Sequence, residues 1–301
     1  MRWEDFRRSD NIEDRRDDDA STQIGASGGF GGAGQLGLGT VVVLGLIGWA
    51  LGIDPRILIG GAEMVQSARH PTQYSQSAPT QPQGRVGTPS DQIGQFVAAT
   101  LAETEDVWSD ILPKQKGIKY IPPHLVLFKG RTRSACGGAT AAMGPFYCPI
   151  DKKVYLDTSF FADMKRRFGG GGDFAYAYVI AHEIGHHVQD QLGILGKAQA
   201  AQRSAGGSRA NAISVRIELM ADCFAGVWAA NAQAKYHVIE PGDIQKAIAT
   251  AQAIGDDRLQ RATQGTVVPD SFTHGSSAQR VHWFETGLKS GLVDSCNTFA
   301  Q

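Results

Sequence analysis

Cysteine is scarce in this chain. Cys136, Cys148, Cys223 and Cys296 are spread over 301 residues with no C-x-x-C pair, which argues against a zinc site built from cysteines. Net charge is almost absent as well. Twenty-nine basic side chains stand against 30 acidic ones, leaving −1, so there is no electrostatic footprint for a nucleic-acid partner. No internal repeat is visible. Long apolar stretches number one, residues 36–53, which excludes a membrane protein of many spans. What remains is a chain with 42% hydrophobic and 20% charged residues, enough to bury a real core in one or two domains.

The segments differ sharply in composition. Residues 1–35 are first highly charged, then Gly-rich, and read as a solvated arm. Five arginines (Arg2, Arg7, Arg8, Arg15, Arg16) and eight acids fall before residue 22. Residues 36–53, LGLGTVVVLGLIGWALGI, carry no charge and are long enough to cross a hydrocarbon layer of roughly 30 Å. A cleaved signal peptide fits poorly, because the preceding arm is long and acidic and no A-x-A site follows. A soluble core helix fits poorly because of the glycines. The expectation is one transmembrane helix. Five arginines precede it and only Arg56 and Arg69 follow soon after, which predicts a cytoplasmic N-terminus and a periplasmic or extracellular remainder. Residues 54–90 read as a linker, with residues 66–90 rich in Gln, Ser, Pro and Thr.

Residues 91–301 form the folded domain. A helix is expected over 91–112, closed by Pro113, then strands at 125–128 and 154–156 around a loop-and-hairpin stretch, and a short helix over 158–167. Helical patterns follow over 175–191, with Asp173 offered as N-cap, and over 210–235, 241–260 and 276–290. In an oxidising compartment Cys136 and Cys148 make a plausible disulfide, leaving Cys223 and Cys296 as a second pair. In a reducing one, four buried thiols are the alternative.

The chemistry concentrates in His182-Glu183-Ile184-Gly185-His186. On a helix the two histidines, four apart, share one face and both imidazoles can reach one metal ion, with Glu183 close enough to touch a water there. Tetrahedral zinc with one open position needs a third protein ligand. A spacer of 31 residues separates His186 from Glu218 in Glu218-Leu219-Met220-Ala221-Asp222, and Asp222 shares its helix face. A ligating imidazole usually gives its other N–H to a carboxylate, a role open to Asp222. His187 points about a hundred degrees from His186 and is left off the ligand set. His70, His124, His237 and His282 have no metal-like spacing.

H-E-x-x-H followed by E-x-x-x-D resembles the gluzincin type of zinc metallopeptidase. More closely, the chain resembles the bacterial neutral zinc metallopeptidase family. The resemblance rests on MRWEDFRRSDNIEDRR, the single apolar segment, SACG…GPFYCP…VYLD, HEIGHHVQ, ELMADCFAGVWA and SFTHGSSAQR. It implies an α+β, zincin-like fold with a small sheet on the metal helix and a helical C-terminal half. It implies one Zn2+ per chain held by His182, His186 and Glu218, with Asp222 behind the first histidine. Glu183 would be the general base on a zinc-activated water. His274, in Thr273-His274-Gly275…Arg280, would stabilise the oxyanion. By analogy, residues 154–157 are the candidate edge strand for a peptide substrate. The implied activity is a membrane-anchored endopeptidase acting on peptides or proteins, with no nucleic-acid partner. An intramembrane protease would place the motif in one of several spans. A membrane-tethered scaffold that keeps zinc without peptidase activity is the alternative from another class.

Overall fold

A computed structural model describes residues 1–17, 84–140, 144–168 and 171–300. The expected transmembrane run, and most of the expected linker, lie outside these residues. Among the described residues no helix is long and apolar enough to cross a membrane.

The fold is mixed α+β. Strands β1 (Ile12–Asp14), β2 (Arg85–Val86), β3 (His124–Phe128), β6 (Phe146–Cys148) and β7 (Lys153–Asp157) form one sheet in the order β2-β1-β3-β7-β6. Strands β1, β3 and β7 run parallel at its centre, and antiparallel β2 and β6 are the two edges. Strands β4 (Arg131–Ser134) and β5 (Gly137–Thr140) make a separate hairpin. Side-chain alternation divides β3 between two cores. Leu125 and Leu127 pack with Val154 and Leu156 toward the helices. Val126 and Phe128 pack with Ala139, Phe146, Cys148 and Tyr155 on the other face.

Helix α1 (Gln92–Lys116) begins at Asp91, whose side chain accepts from the Gly94 N–H, and runs past Pro113 to a left-handed cap at Gly117. Proline sits in the last turn, where little helix remains to be disrupted. Helix α2 (Ser159–Phe168) follows the sheet. Helices α3 (Asp173–Gln191), α4 (Ile194–Ala205), α5 (Gly207–Tyr236), α6 (Asp243–Ala253), α7 (Asp256–Gln264) and α8 (Ser277–Ser290) make the C-terminal half. Cys223 on α5 is bonded to Cys296, and Cys136 in the hairpin turn to Cys148 on β6.

Two expectations fail here. The charged opening is no solvated arm. Ile12 is fully buried between β2 and β3, Trp3 and Ser9 are buried, and the Met1 nitrogen lies 2.6 Å from both Glu240 and Asp243. Its charges misled because each is matched inside the fold. Ile12, Glu13 and Asp14 are register partners of Leu125, Val126 and Leu127. Residues 154–157 are also not an edge: β7 is flanked by β3 and β6. Strand order is a long-range property that local spacing does not carry.

Candidate metal centre

Helix α3 is buried on nearly every side, as its run of small and apolar residues requires. Its first residue, Asp173, does not cap it; Gly172 precedes it without a side-chain cap, and the Asp173 carboxylate accepts from Trp3 Nε1 at 2.9 Å. The third motif position after the histidine, Gly185, is where α3 touches α5. A Cβ there would lie 3.0 Å from the Ala221 carbonyl oxygen and 3.1 Å from its Cα. That close approach sets Glu218 and Asp222, one turn apart on α5, against His182 and His186.

His182, His186 and Glu218 each offer a ligand atom, all within 4.8 Å of one another. His182 Nε2 lies 3.2 Å from Glu218 Oε2, and His186 Nε2 lies 3.5 Å from Glu218 Oε1. Both Nδ1 atoms are already engaged. His182 Nδ1 donates to Asp222 Oδ1 at 2.9 Å, and His186 Nδ1 to Gln189 Oε1 at 3.0 Å. The Gln189 amide is fixed in turn, because its Nε2 donates to the Ile217 carbonyl at 2.7 Å. Both imidazoles therefore present Nε2 inward, the tautomer a metal ligand needs. Two imidazole nitrogens and one carboxylate fit zinc with a position left open.

Asp222 is fully buried and accepts from four neighbours' groups: His182 Nδ1, Tyr178 Oη at 2.6 Å, and Arg280 Nε and Nη2 at 2.9 Å each. Burial alone would raise its proton affinity. Arg280 and His182 outweigh it and hold the carboxyl below its usual range. Burial works against a charged His182, yet Asp222 and Glu218 push it up to about 10. Glu218 is buried, which favours its neutral form, but the two imidazoles hold it well below the usual carboxylate range. Glu183 behaves the other way. Burial pushes it upward despite both histidines and the Tyr147 backbone N–H, which suits a carboxylate that takes and returns a proton.

His274 lies near enough for Glu218 to raise its proton affinity, although burial opposes this and Asp256 contributes more. The turn carrying it is built on Asp256, the first residue of α7. Asp256 Oδ2 accepts the backbone N–H groups of Thr273 at 2.7 Å, His274 at 2.6 Å and Gly275 at 3.1 Å; Oδ1 lies 3.1 Å from His274 Nδ1. This leaves His274 Nε2 for another partner. His187 faces away from the cluster, toward Tyr147 Oη at 3.1 Å and the Ile121 carbonyl at 2.7 Å.

Sequence reasoning missed Tyr178, Gln189 and Asp256, and gave Arg280 no partner. Tyr178 is four residues before His182 and Gln189 three after His186, so helical spacing alone carried a signal for both. Asp256 had none, since it acts on a turn 17 residues away.

Residues 1–299 match the family model described as "Putative neutral zinc metallopeptidase". The Escherichia coli K12 protein YpfJ, which is uncharacterised, is 45% identical over 301 residues, covering 100% of this chain and 99% of its own. The uncharacterised Mycobacterium tuberculosis protein Rv2575 is 44% identical over 229 residues, 72% of this chain and 75% of its own. No solved structure matches the chain. With the match spanning almost every residue, the chain belongs to the neutral zinc metallopeptidase family.

Proposed function

We propose that this protein is a membrane-anchored zinc endopeptidase whose chemistry resides on α3 and α5 in a zincin-like arrangement. One observation carries the reading: two inward-facing Nε2 atoms and the Glu218 carboxylate converge, with the Glu183 carboxyl one residue from the first of them. Zinc bound there would polarise a peptide carbonyl and acidify a water. The Glu183 carboxylate would act as the general base, accepting a proton and returning it to the leaving nitrogen. Its buried setting keeps its basicity above that of an exposed glutamate. His274 donates from Nε2 to the developing oxyanion, held in place through Nδ1 by Asp256. Edge strand β6, whose Tyr147 N–H is already given to Glu183, presents its outer side to an extended peptide, taking the part expected of residues 154–157. The two disulfides favour an oxidising compartment outside the cytoplasm, and residues 36–53 supply the anchor.

The test uses the full chain, because β1 and β2 belong to the sheet. Wild type and Glu183→Gln are loaded with zinc and incubated with a diverse peptide mixture, and cleavage is read by mass spectrometry. The expected result is one zinc in each protein and cleavage by the wild type alone. If both hold zinc and neither cuts, the peptidase reading fails and the tethered scaffold replaces it.

A further inference from the structure

Resting on the anchored reading, we infer that residues 1–17 lie on the same side of the membrane as the metal centre. Strand β1 is hydrogen-bonded to β2 and β3 along its whole length, with Asp14 the register partner of both Arg85 and Leu127. The chain therefore leaves the sheet at residue 14 and re-enters it beside that point at residue 85. The two flanks of β1, at β2 and β3, therefore belong to the same folded unit as the metal centre.

The positive-inside count pointed the other way, and the structure accounts for the discrepancy. That rule treats arginines flanking an apolar run as free cations facing the cytoplasm. Here the five have folded partners. Arg7 Nη2 lies 2.7 Å from Glu105 and 2.8 Å from Asp106 on α1. Arg15, only 5% exposed, pairs with Glu13 at 2.7 Å. Arg16 reaches Asp14 at 2.5 Å and Asp91 at 2.6 Å. Arg8 donates to Gln95 and sits 5.3 Å above the Trp3 ring, and Arg2 pairs with Asp5. Trp3 and the Met1 nitrogen add contacts to Asp173, Glu240 and Asp243. Severing this set to place the segment across a bilayer would also strip both neighbours from β1 and uncover Ile12.

The experiment places single cysteines in the full chain, Glu4→Cys in the opening segment and Lys119→Cys after α1, both at exposed positions. The four native cysteines are engaged in disulfides and stay silent. A membrane-impermeant maleimide is applied to spheroplasts and to inverted vesicles. Both sites are expected to label from the same side and to be protected together from the other. Labelling of the two from opposite sides overturns the inference, as does release of the chain from membranes by an alkaline wash. Labelling of both from the cytoplasmic side supports it and defeats the exterior placement, so the two readings fail separately. As a second measurement, Glu13→Cys with Val126→Cys, register partners in β1 and β3, should cross-link on mild oxidation of the membrane-bound chain. Absence of that link beside labelling from opposite sides overturns the inference independently of how either exposed variant folds.

Discussion

Arg280 grips Asp222 through two nitrogens, Nε on Oδ2 and Nη2 on Oδ1, each at 2.9 Å. Both side chains are almost wholly buried, and the same carboxylate orients His182. Removing the guanidinium would leave a buried acid short of its main counter-charge. Arg280→Met is expected to cost about 3–5 kcal/mol of stability in urea unfolding. It should also weaken zinc binding roughly 10- to 100-fold in competition with a chelating dye, because the His182 tautomer loses its support. Adding Asp222→Asn removes both charges, and should recover stability without recovering zinc. Unchanged values for Arg280→Met would refute this account of Asp222.

Gly185 is the point at which α3 and α5 meet. The atoms a Cβ would strike, 3.0 and 3.1 Å away, belong to the Ala221 backbone, which has no rotamer to change. Gly185→Ala should therefore push α5 outward and carry Glu218 with it. Zinc affinity is expected to fall by about 10- to 100-fold, with a far-ultraviolet spectrum like that of the wild type. Tight zinc binding in this variant would show that the contact does not set the ligand spacing.

On the proposed function, His274 is the group that touches substrate and Asp256 the one that positions it. In the cleavage assay, His274→Ala should lower kcat by roughly 100- to 1000-fold with zinc content unchanged. Asp256→Asn keeps the shape but weakens four hydrogen bonds to the turn, and should act in the same direction by about 10- to 100-fold. It should also move the acidic or basic limb of the pH–rate profile, because His274 loses the carboxylate that raises its proton affinity. A loss confined to KM would argue against a role for His274 at the oxyanion.

Glu103 on α1 is 1% exposed, and neither carboxyl oxygen has a hydrogen-bond partner among the described residues. Burial, helped by Asp106, pushes it up to about 8 from an ordinary value of 4.5. The fold therefore holds a proton that the unfolded chain has already released. Its stabilising effect is complete below about pH 4.5 and is lost as the pH rises to about 8, at no more than roughly 1.4 kcal/mol per pH unit. Glu103→Gln should flatten that part of the stability curve and unfold at higher urea than the wild type at pH 8. Parallel curves from pH 5 to 9 would rule the effect out.

What the sequence disclosed follows from the range of the signals. His182, Glu183 and His186 stand within one turn, and Glu218 and Asp222 within another, so helical periodicity was enough to group them before any fold was known. The match between the two helices depends on Gly185 and Ala221, which spacing does not reveal. Strand β1 was unreadable for a different reason. It is three residues long with one apolar side chain, Ile12, among arginines and acids, and a charged stretch looks solvated until its partners are known. Residues 154–157 were correctly a strand, but their place inside the sheet depends on β6 folding back beside them. The turn at residues 273–275 rests on Asp256 in the same way, through contacts across a loop.

Parallel pairing of β1 with β3 also sets a timetable for synthesis. Ile12–Asp14 are made before their neighbours Leu125–Leu127, which emerge more than a hundred residues later. At 5–20 residues per second, an interval of about 5–20 s passes before the pair can form. Throughout it Ile12 lacks its β3 neighbour, and α3 cannot receive its Trp3 contact until still later. The surroundings of the metal helix are therefore completed only after a segment made well before it has been brought back to the sheet.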